Sequence, residues 1–438
     1  MKLIPLSRLL VNGRADDHPV AVQRGQQICF GQFRADVMAA TSRFDGCRSV
    51  ALVCQDSYNF IVGFFGLLHA GATIVIPPNG QFGSLCETND KYDLIANDAV
   101  IEDRQTKIID LNYIDPNQLS LVFWTSGSTG TPKRIPKSLA MLEREVTTLD
   151  SLWGNTSRTG SVFATVSHQH IYGLTFKLLW PIMAGRPFMA EMHAFWESLI
   201  AVLSPDAVLV SSPAHLSRLD GILSLPQNLT LKRIFSAGAP LSFEASKQAE
   251  RILGCSPTEI FGSTETGAFA TRCQIDNDAP WQLFPDMSIR CDGGRLILSS
   301  PFIGPGWLET SDLIEPIENG FRHLGRADRI AKIEGKRVSL AQVEQSLTQL
   351  SFVEAAAVAV LQNEPDCLVA VVVPSEEGQA AINEMGSFRF GRFLRSKLAL
   401  TQEASGLPRL WRFVNELPAR GLGKRSDADI RALFSEGA

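Results

Sequence analysis

Residues Thr125 to Lys133 read Thr-Ser-Gly-Ser-Thr-Gly-Thr-Pro-Lys and follow the apolar run Leu121-Val122-Phe123-Trp124. A strand that ends in hydroxyls, two glycines and a lysine is suited to holding an anion. Gly127 and Gly130 let backbone N–H groups converge, while Thr125, Ser126, Ser128, Thr129 and Lys133 add donors for polyphosphate oxygens. The pattern is not the Walker type: counted from Gly127, Pro132 stands where glycine is required and Arg134 where Ser or Thr is required. That argues against a P-loop NTPase. For the loop alone, a Ser/Gly-rich surface turn remains the alternative.

A second cluster, Glu259-Ile260-Phe261-Gly262-Ser263-Thr264-Glu265-Thr266-Gly267, again sets an apolar run before a glycine and hydroxyl turn, now with a carboxylate. Glu265 beside Thr264 has the oxygen ligand that Mg²⁺ prefers when it bridges to phosphates. In Trp307-Leu308-Glu309-Thr310-Ser311-Asp312-Leu313, Asp312 is placed to accept hydrogen bonds from ribose hydroxyls. Gly325-Arg326-Ala327-Asp328-Arg329 opens a charged segment, and Leu417-Pro418-Ala419-Arg420-Gly421-Leu422-Gly423-Lys424 puts a glycine-flanked lysine near the C-terminus. Each of these, taken singly, also reads as a solvated turn.

The elements that must position these groups alternate. Val50–Cys54, Thr73–Ile76, Val162–Val166, Ala207–Val210 and Arg233–Ser236 are short apolar runs separated by enough chain for crossover helices. The expected fold class is α/β, with layered, largely parallel sheets in a large N-terminal domain. After Leu324 a charged linker is expected, and beyond it a small α+β domain with strands at Ala355–Leu361 and Leu368–Val373. Ser339-Leu340-Ala341-Gln342 fits a capping box that opens a helix through Val343 and Leu347.

Composition narrows the function classes. The chain has 438 residues, too many for one ordinary core, with 45% hydrophobic and 20% charged residues and a net charge of −5. Such a balance gives no electrostatic footprint for nucleic acid or anionic membrane. Eight cysteines form no C-x-x-C pair, so a reduced cytoplasmic protein without disulfides or a zinc site is expected. The N-terminus, interrupted by Pro5 and Arg8, is unlike a secretory signal. The most apolar stretch, Tyr58–Pro77, divides at His69-Ala70-Gly71-Ala72 into a helix and a strand, not a membrane span.

In this order and spacing, the segments resemble the adenylate-forming enzymes: acyl- and aryl-CoA synthetases, luciferases and peptide-synthetase adenylation domains. Further matches are Leu68-His69-Ala70-Gly71-Ala72, His170-Ile171-Tyr172-Gly173-Leu174 and Ser236-Ala237-Gly238-Ala239-Pro240-Leu241. The resemblance implies ATP and Mg²⁺ as cofactors. It assigns Thr125, Ser126, Gly127, Ser128, Thr129, Gly130 and Lys133 to the β- and γ-phosphates. By the same resemblance Ser236, Ala237, Gly238 and Ala239 wall the adenine and acyl group, with Phe261 and Gly262 against the adenine. Thr264 would contact the α-phosphate, Glu265 the metal, and Asp312 the ribose, with Arg326 in support. Lys424 would be the catalytic lysine of a mobile C-terminal lid, residues 326–438, hinged at Asp328 to the core, residues 1–325.

The chain departs from the family at three of these places. Phe261 stands for the usual Tyr, Ser311 for the Gly of Thr-Gly-Asp, and Ala419-Arg420 for Arg-Thr before Gly-Lys. Ser311 would be strained at positive φ. The segment bordering the acyl pocket, with His170 and Gly173, lacks the Asp that pairs with an amino-acid ammonium. With Ser211 and Ser212 it suits an aryl or unsaturated acyl acid. A separate acyl carrier protein or CoA would supply the thiol, as for standalone ligases of the aryl polyene type. An amino-acid adenylating enzyme is the alternative, and a non-catalytic adenylate-binding protein is the alternative outside the enzyme class.

Overall fold

The computed structural model describes residues 2–77, 92–103, 109–126, 132–156, 160–226, 228–276, 279–333, 336–361, 367–400, 402, 404–418 and 427–435. The apolar stretch that could be mistaken for a membrane span is helix Ser57–His69 followed by strand Thr73–Ile76. Asp56 starts the helix, its carboxylate accepting the N–H groups of Tyr58 and Asn59. Every residue from Ser57 to Leu68 is buried, because the helix is covered by protein on all sides. Gly71, at φ +74°, then turns the chain into the strand. No helix among the described residues is long and apolar enough to cross a membrane.

Two sheets carry the site. The first runs in the order Leu94–Ala96, Ser49–Leu52, Thr73–Ile76, Leu121–Ser126, Pro132–Lys137. Its first four strands are parallel and the last is antiparallel, with Thr125 opposite Lys133 and Ser126 opposite Pro132. The strands on either side of the phosphate loop are therefore paired to one another. Gly127, Ser128, Thr129 and Gly130 lie outside the described residues.

The second sheet has, among the described residues, thirteen strands. Its centre is parallel, as expected: Val162–Ala164, Ala207–Ser211, Leu231–Ser236 and Pro257–Ser263 lie side by side. From Pro257 onward the pairing turns antiparallel through Gly267–Cys273, Trp281–Leu283, Gly320–Arg326, Leu308–Ile317 and Arg295–Ser299. Among the described residues this wing has no crossover helices, and its connections include tight turns such as Gly293-Gly294 and Asn319, all at positive φ.

The charged stretch after Leu324, expected as a linker, is mostly ordered strand. Gly320–Arg326 closes the antiparallel wing, Ala327–Arg329 is one 3₁₀ turn, and Ile330–Ile333 pairs with Lys336–Ser339. In the sequence Lys332, Glu334, Lys336 and Arg337 interrupt the apolar pattern, of which Ile333 and Val338 are buried. These two join a hydrophobic cluster with Leu340, Val343, Val358, Val372 and Phe390. The cap at Ser339 forms as expected, its hydroxyl accepting from Gln342 N–H. Strands Val353–Leu361, Cys367–Pro374 and Leu410–Phe413 make a separate three-stranded sheet.

Within the large sheet Glu259 is a buried anchor. Its carboxylate takes Arg272 through both oxygens, at 2.7 and 3.1 Å, and also accepts from Leu241 N–H and Gln274. The Arg272 guanidinium in turn lies 4.4 Å from the centre of the Trp281 ring. Removing one partner of a buried ion pair strands the other charge. Arg272→Met should therefore lower unfolding free energy by about 3–5 kcal/mol, measured by urea denaturation; a loss below 1 kcal/mol would contradict this account.

Candidate active site

The phosphate-loop strands and the carboxylate turn meet. Lys133, paired with Thr125 across the hairpin, donates from Nζ to Glu265 Oε1 at 3.3 Å, although the two residues are 132 apart in sequence. Burial works to raise the Glu265 pKa, but its own backbone N–H, Lys133 and Ser263 outweigh that and hold the carboxyl below its usual range. Glu265 is thus kept ionised.

The turn's shape follows from its small residues. A bulge between Phe261 and Gly262 shifts the register against Gly267–Cys273, and a Cβ on Gly262 would lie 2.2 Å from the Gly267 carbonyl. Gly267 itself sits at φ +68°. Thr266 locks the turn by accepting from Ser263 N–H at 2.8 Å and donating to the Gly267 carbonyl at 2.8 Å. Thr264 is half-buried between these groups.

Under the turn lie two buried charges that sequence reasoning missed. Lys137 ends the strand that leaves the phosphate loop, and Nζ donates to the carbonyls of Glu265 and Phe302 at 2.9 and 3.0 Å. Glu145, on helix Leu139–Trp153, accepts the Ala268 N–H at 3.0 Å. Burial lowers the Lys137 pKa and raises that of Glu145, while each charge counteracts the shift of the other. The only sequence signal was a lysine in the last strand position and a glutamate on the core-facing stripe of a helix.

On the other side of the bulge, Phe261 is half-buried and meets Phe269, Trp281, Phe321 and His323 edge-on, with ring centroids 4.9–5.4 Å apart. His323 also approaches Asp312, Nε2 to Oδ1 at 3.2 Å. His323 was not anticipated, yet it joins the expected adenine and ribose residues. Asp312 faces Arg326 across the antiparallel pair, with Arg326 3.8 Å from its carboxylate. Ser311 lies inside strand Leu308–Ile317 and is not among the residues at positive φ, so serine there carries no backbone strain.

Ser236 and Ala237 are buried at the end of strand Leu231–Ser236, and Gly238, at φ +101°, and Ala239 are exposed beyond it. The Ser236 hydroxyl is buried without a hydrogen-bond partner among the described residues. Ser211 pairs with Thr165 at 2.8 Å, and Ser212 with His215 at 3.1 Å. Gly173 lies in a short helix starting at Ile171, where a Cβ would meet the Ser167 carbonyl at 2.1 Å; His170 precedes that helix. Asp328 is in the 3₁₀ turn, and Lys424 lies outside the described residues.

His168 belongs to a structural chain. Its Nε2 donates to the Cys54 carbonyl at 2.9 Å, so Nδ1 accepts from the Ser57 hydroxyl at 2.8 Å, and Ser57 accepts from Lys177 at 2.6 Å. Burial, then the Lys177 charge, pushes the His168 pKa down to about 3, and burial takes Lys177 down to about 7.

Residues 83–290 match the model of the AMP-binding enzyme family. The chain carries an AMP-binding enzyme domain over that segment. It is an enzyme of the adenylate-forming type that its motifs resemble. A 4-coumarate–CoA ligase from Rhodobacter capsulatus is 29% identical over 75% of this chain and 80% of that one. The fold is shared with ATP-bound MatB from Rhodopseudomonas palustris, with TM-score 0.80, 16% identity and 99% of each chain covered. A benzoate CoA ligase from Burkholderia xenovorans superposes with TM-score 0.78 and 18% identity, covering 98% of this chain and 100% of the other.

The family implies Mg²⁺, and the donor set fits it. Among the described residues no group of three or more His, Cys, Asp or Glu could cage a metal. One ionised carboxylate beside a phosphate loop is what Mg²⁺ uses when its remaining ligands are water and substrate oxygens.

The neutral, buried His168 makes stability pH-dependent. Below its unfolded pKa of about 6.5 the unfolded chain binds a proton that the folded chain refuses down to about pH 3. Stability contributed by this group is therefore lost as pH falls through that window. His168→Gln should flatten the acid limb by up to about 1.4 kcal/mol per pH unit between pH 6 and 4, measured by denaturation at each pH; an unchanged slope would show that His168 is protonated in the fold.

Proposed function

We propose that this enzyme activates a carboxylic acid, aryl or unsaturated acyl, as its acyl-AMP with release of pyrophosphate, and then passes the acyl group to a thiol. The observation that carries this reading is the convergence of Lys133 on Glu265, alongside the Phe261–His323–Asp312 group. One edge of the site is cationic and takes phosphates; the other is aromatic and acidic and takes a nucleoside.

In the first step the substrate carboxylate attacks the α-phosphorus, the bond to the pyrophosphate oxygen breaks, and pyrophosphate leaves. No side-chain nucleophile is required, since the carboxylate is ionised near neutral pH. Lys133 and the loop hydroxyls hold the leaving group, and Thr264 faces the α-phosphate. Glu265 would hold Mg²⁺, which supplies Lewis-acid neutralisation of the phosphoryl oxygens. In the second step a thiol attacks the acyl carbon, giving the thioester and AMP.

The similarity to a 4-coumarate–CoA ligase supports an aromatic, unsaturated acid and a CoA thiol. A separate acyl carrier protein is the other acceptor, and assays offering each thiol distinguish them. The scattered cysteines, described as free at seven positions, support a cytoplasmic location.

We assign residues 1–325 to the adenylation core and 326–438 to a lid turning about Asp328, with Lys424 as its catalytic lysine. Arg329, next to Asp328, bonds to both Glu344 and Asp427, which supports fastening of the turn to the lid. Asp427 opens the helix three residues after Lys424.

Lys424→Ala should suppress acid-dependent pyrophosphate exchange by about a hundredfold or more while ATP binding is retained. Exchange at the parental rate would remove Lys424 from the catalytic set. Asp328→Pro should spare exchange and slow thioester formation; equal loss of both steps would argue against the hinge. Screening exchange across benzoates, cinnamates, fatty acids and amino acids identifies the acid, and no exchange with any of them would overturn the ligase reading.

A further inference from the structure

We infer that Lys137 and Glu145 are positioning residues for the metal-binding carboxylate, clamping the Ser263–Gly267 turn from beneath so that Glu265 is presented to its cation. The inference rests on the reading of Glu265 as the metal ligand and adds the groups that fix it.

The clamp has two jaws. Lys137 Nζ takes the backbone carbonyl of Glu265 itself and that of Phe302. Glu145 Oε1 takes the N–H of Ala268, and its other oxygen lies only 2.9 Å from where a Cβ on Gly267 would sit. The turn is thus held at a carbonyl before the glycine and at an N–H after it. Both jaws are charge-assisted hydrogen bonds between nearly inaccessible groups, with Lys137 2% and Glu145 3% exposed. Each side chain acts through the backbone of the turn, at the Glu265 carbonyl and the Ala268 N–H.

Burying two charges is costly unless their hydrogen-bonding capacity is used. Here it is used on the Glu265 and Phe302 carbonyls and on the Ala268 N–H. Both residues also lie in the segment that leaves the phosphate loop, strand Pro132–Lys137 and helix Leu139–Trp153. Lys133 and Lys137, four residues apart, share a face of that strand, one reaching the Glu265 carboxylate and the other its carbonyl. The leaving-group lysine and the metal carboxylate therefore share one rigid support.

The test is Mn²⁺ binding to the full-length enzyme with ATP, followed by electron paramagnetic resonance, alongside metal-free AMP binding by calorimetry. Lys137→Met should weaken Mn²⁺ about tenfold in the ATP complex and AMP by no more than about twofold, because AMP meets the clamped turn only at Thr264 and is otherwise held by Phe261 and Asp312 outside it. Lys137→Gln, which keeps an amide donor, should recover part of the loss. If Lys137→Met does not fold, Glu145→Ala removes the other jaw and should weaken Mn²⁺ in the same selective way.

Parental Mn²⁺ affinity in a folded clamp variant, or equal loss of Mn²⁺ and AMP, would overturn the inference. Glu265→Gln separates the two readings. If it weakens Mn²⁺ and the clamp variants do not, the clamp fails and the metal assignment stands. If Glu265→Gln leaves Mn²⁺ unchanged, the metal assignment fails, and the clamp with it.

Discussion

Everything at this site depends on a seam in which backbone groups of the carboxylate turn are satisfied by buried charges from the strand and helix that follow the phosphate loop. Strand Pro132–Lys137 belongs to the five-stranded sheet and the Ser263–Gly267 turn to the thirteen-stranded one. Apolar packing alone would let such layers slide, since hydrophobic attraction is non-directional. Lys137 and Glu145 give the seam direction, because an ammonium and a carboxylate in a dry interior require particular partners at particular places. The hairpin about the phosphate loop is consequently indexed to the carboxylate turn.

A similar logic ties the nucleoside side together. Phe261 stands just before the bulge, and its ring is fixed by four aromatic neighbours from three further strands. His323 touches both that ring and the Asp312 carboxylate, so a stacking surface and a hydroxyl acceptor are held in one unit. Glu259, two residues upstream, anchors the same strand through Arg272. The strand that ends at the metal turn is thereby pinned at both ends by carboxylates of different purpose.

What could be read from the sequence was local. The run Thr73–Ile76, the cap at Ser339 and the division of Tyr58–Pro77 into helix and strand depend on patterns a few residues long, and the structure places them as expected. The motif residues were legible because their types are dictated by the chemistry of phosphates and ribose. Lys137, Glu145 and His323 were not, since their roles exist only through partners far away in the chain. His168 is likewise defined by remote partners, with Cys54 and Ser57 on either side of its ring. The segment after Leu324 misled because its charged residues outnumber the two apolar ones that are buried, Ile333 and Val338.

The glycines of the carboxylate turn have a historical consequence. Gly262 leaves no space for a side chain, and a Cβ on Gly267 would displace the very oxygen that Glu145 keeps beneath it. A substitution at any one of Lys137, Glu145, Gly262 or Gly267 meets the other three unchanged, so none is free to drift alone. These four positions should evolve as a single epistatic block, while the acyl-pocket walls diversify around them.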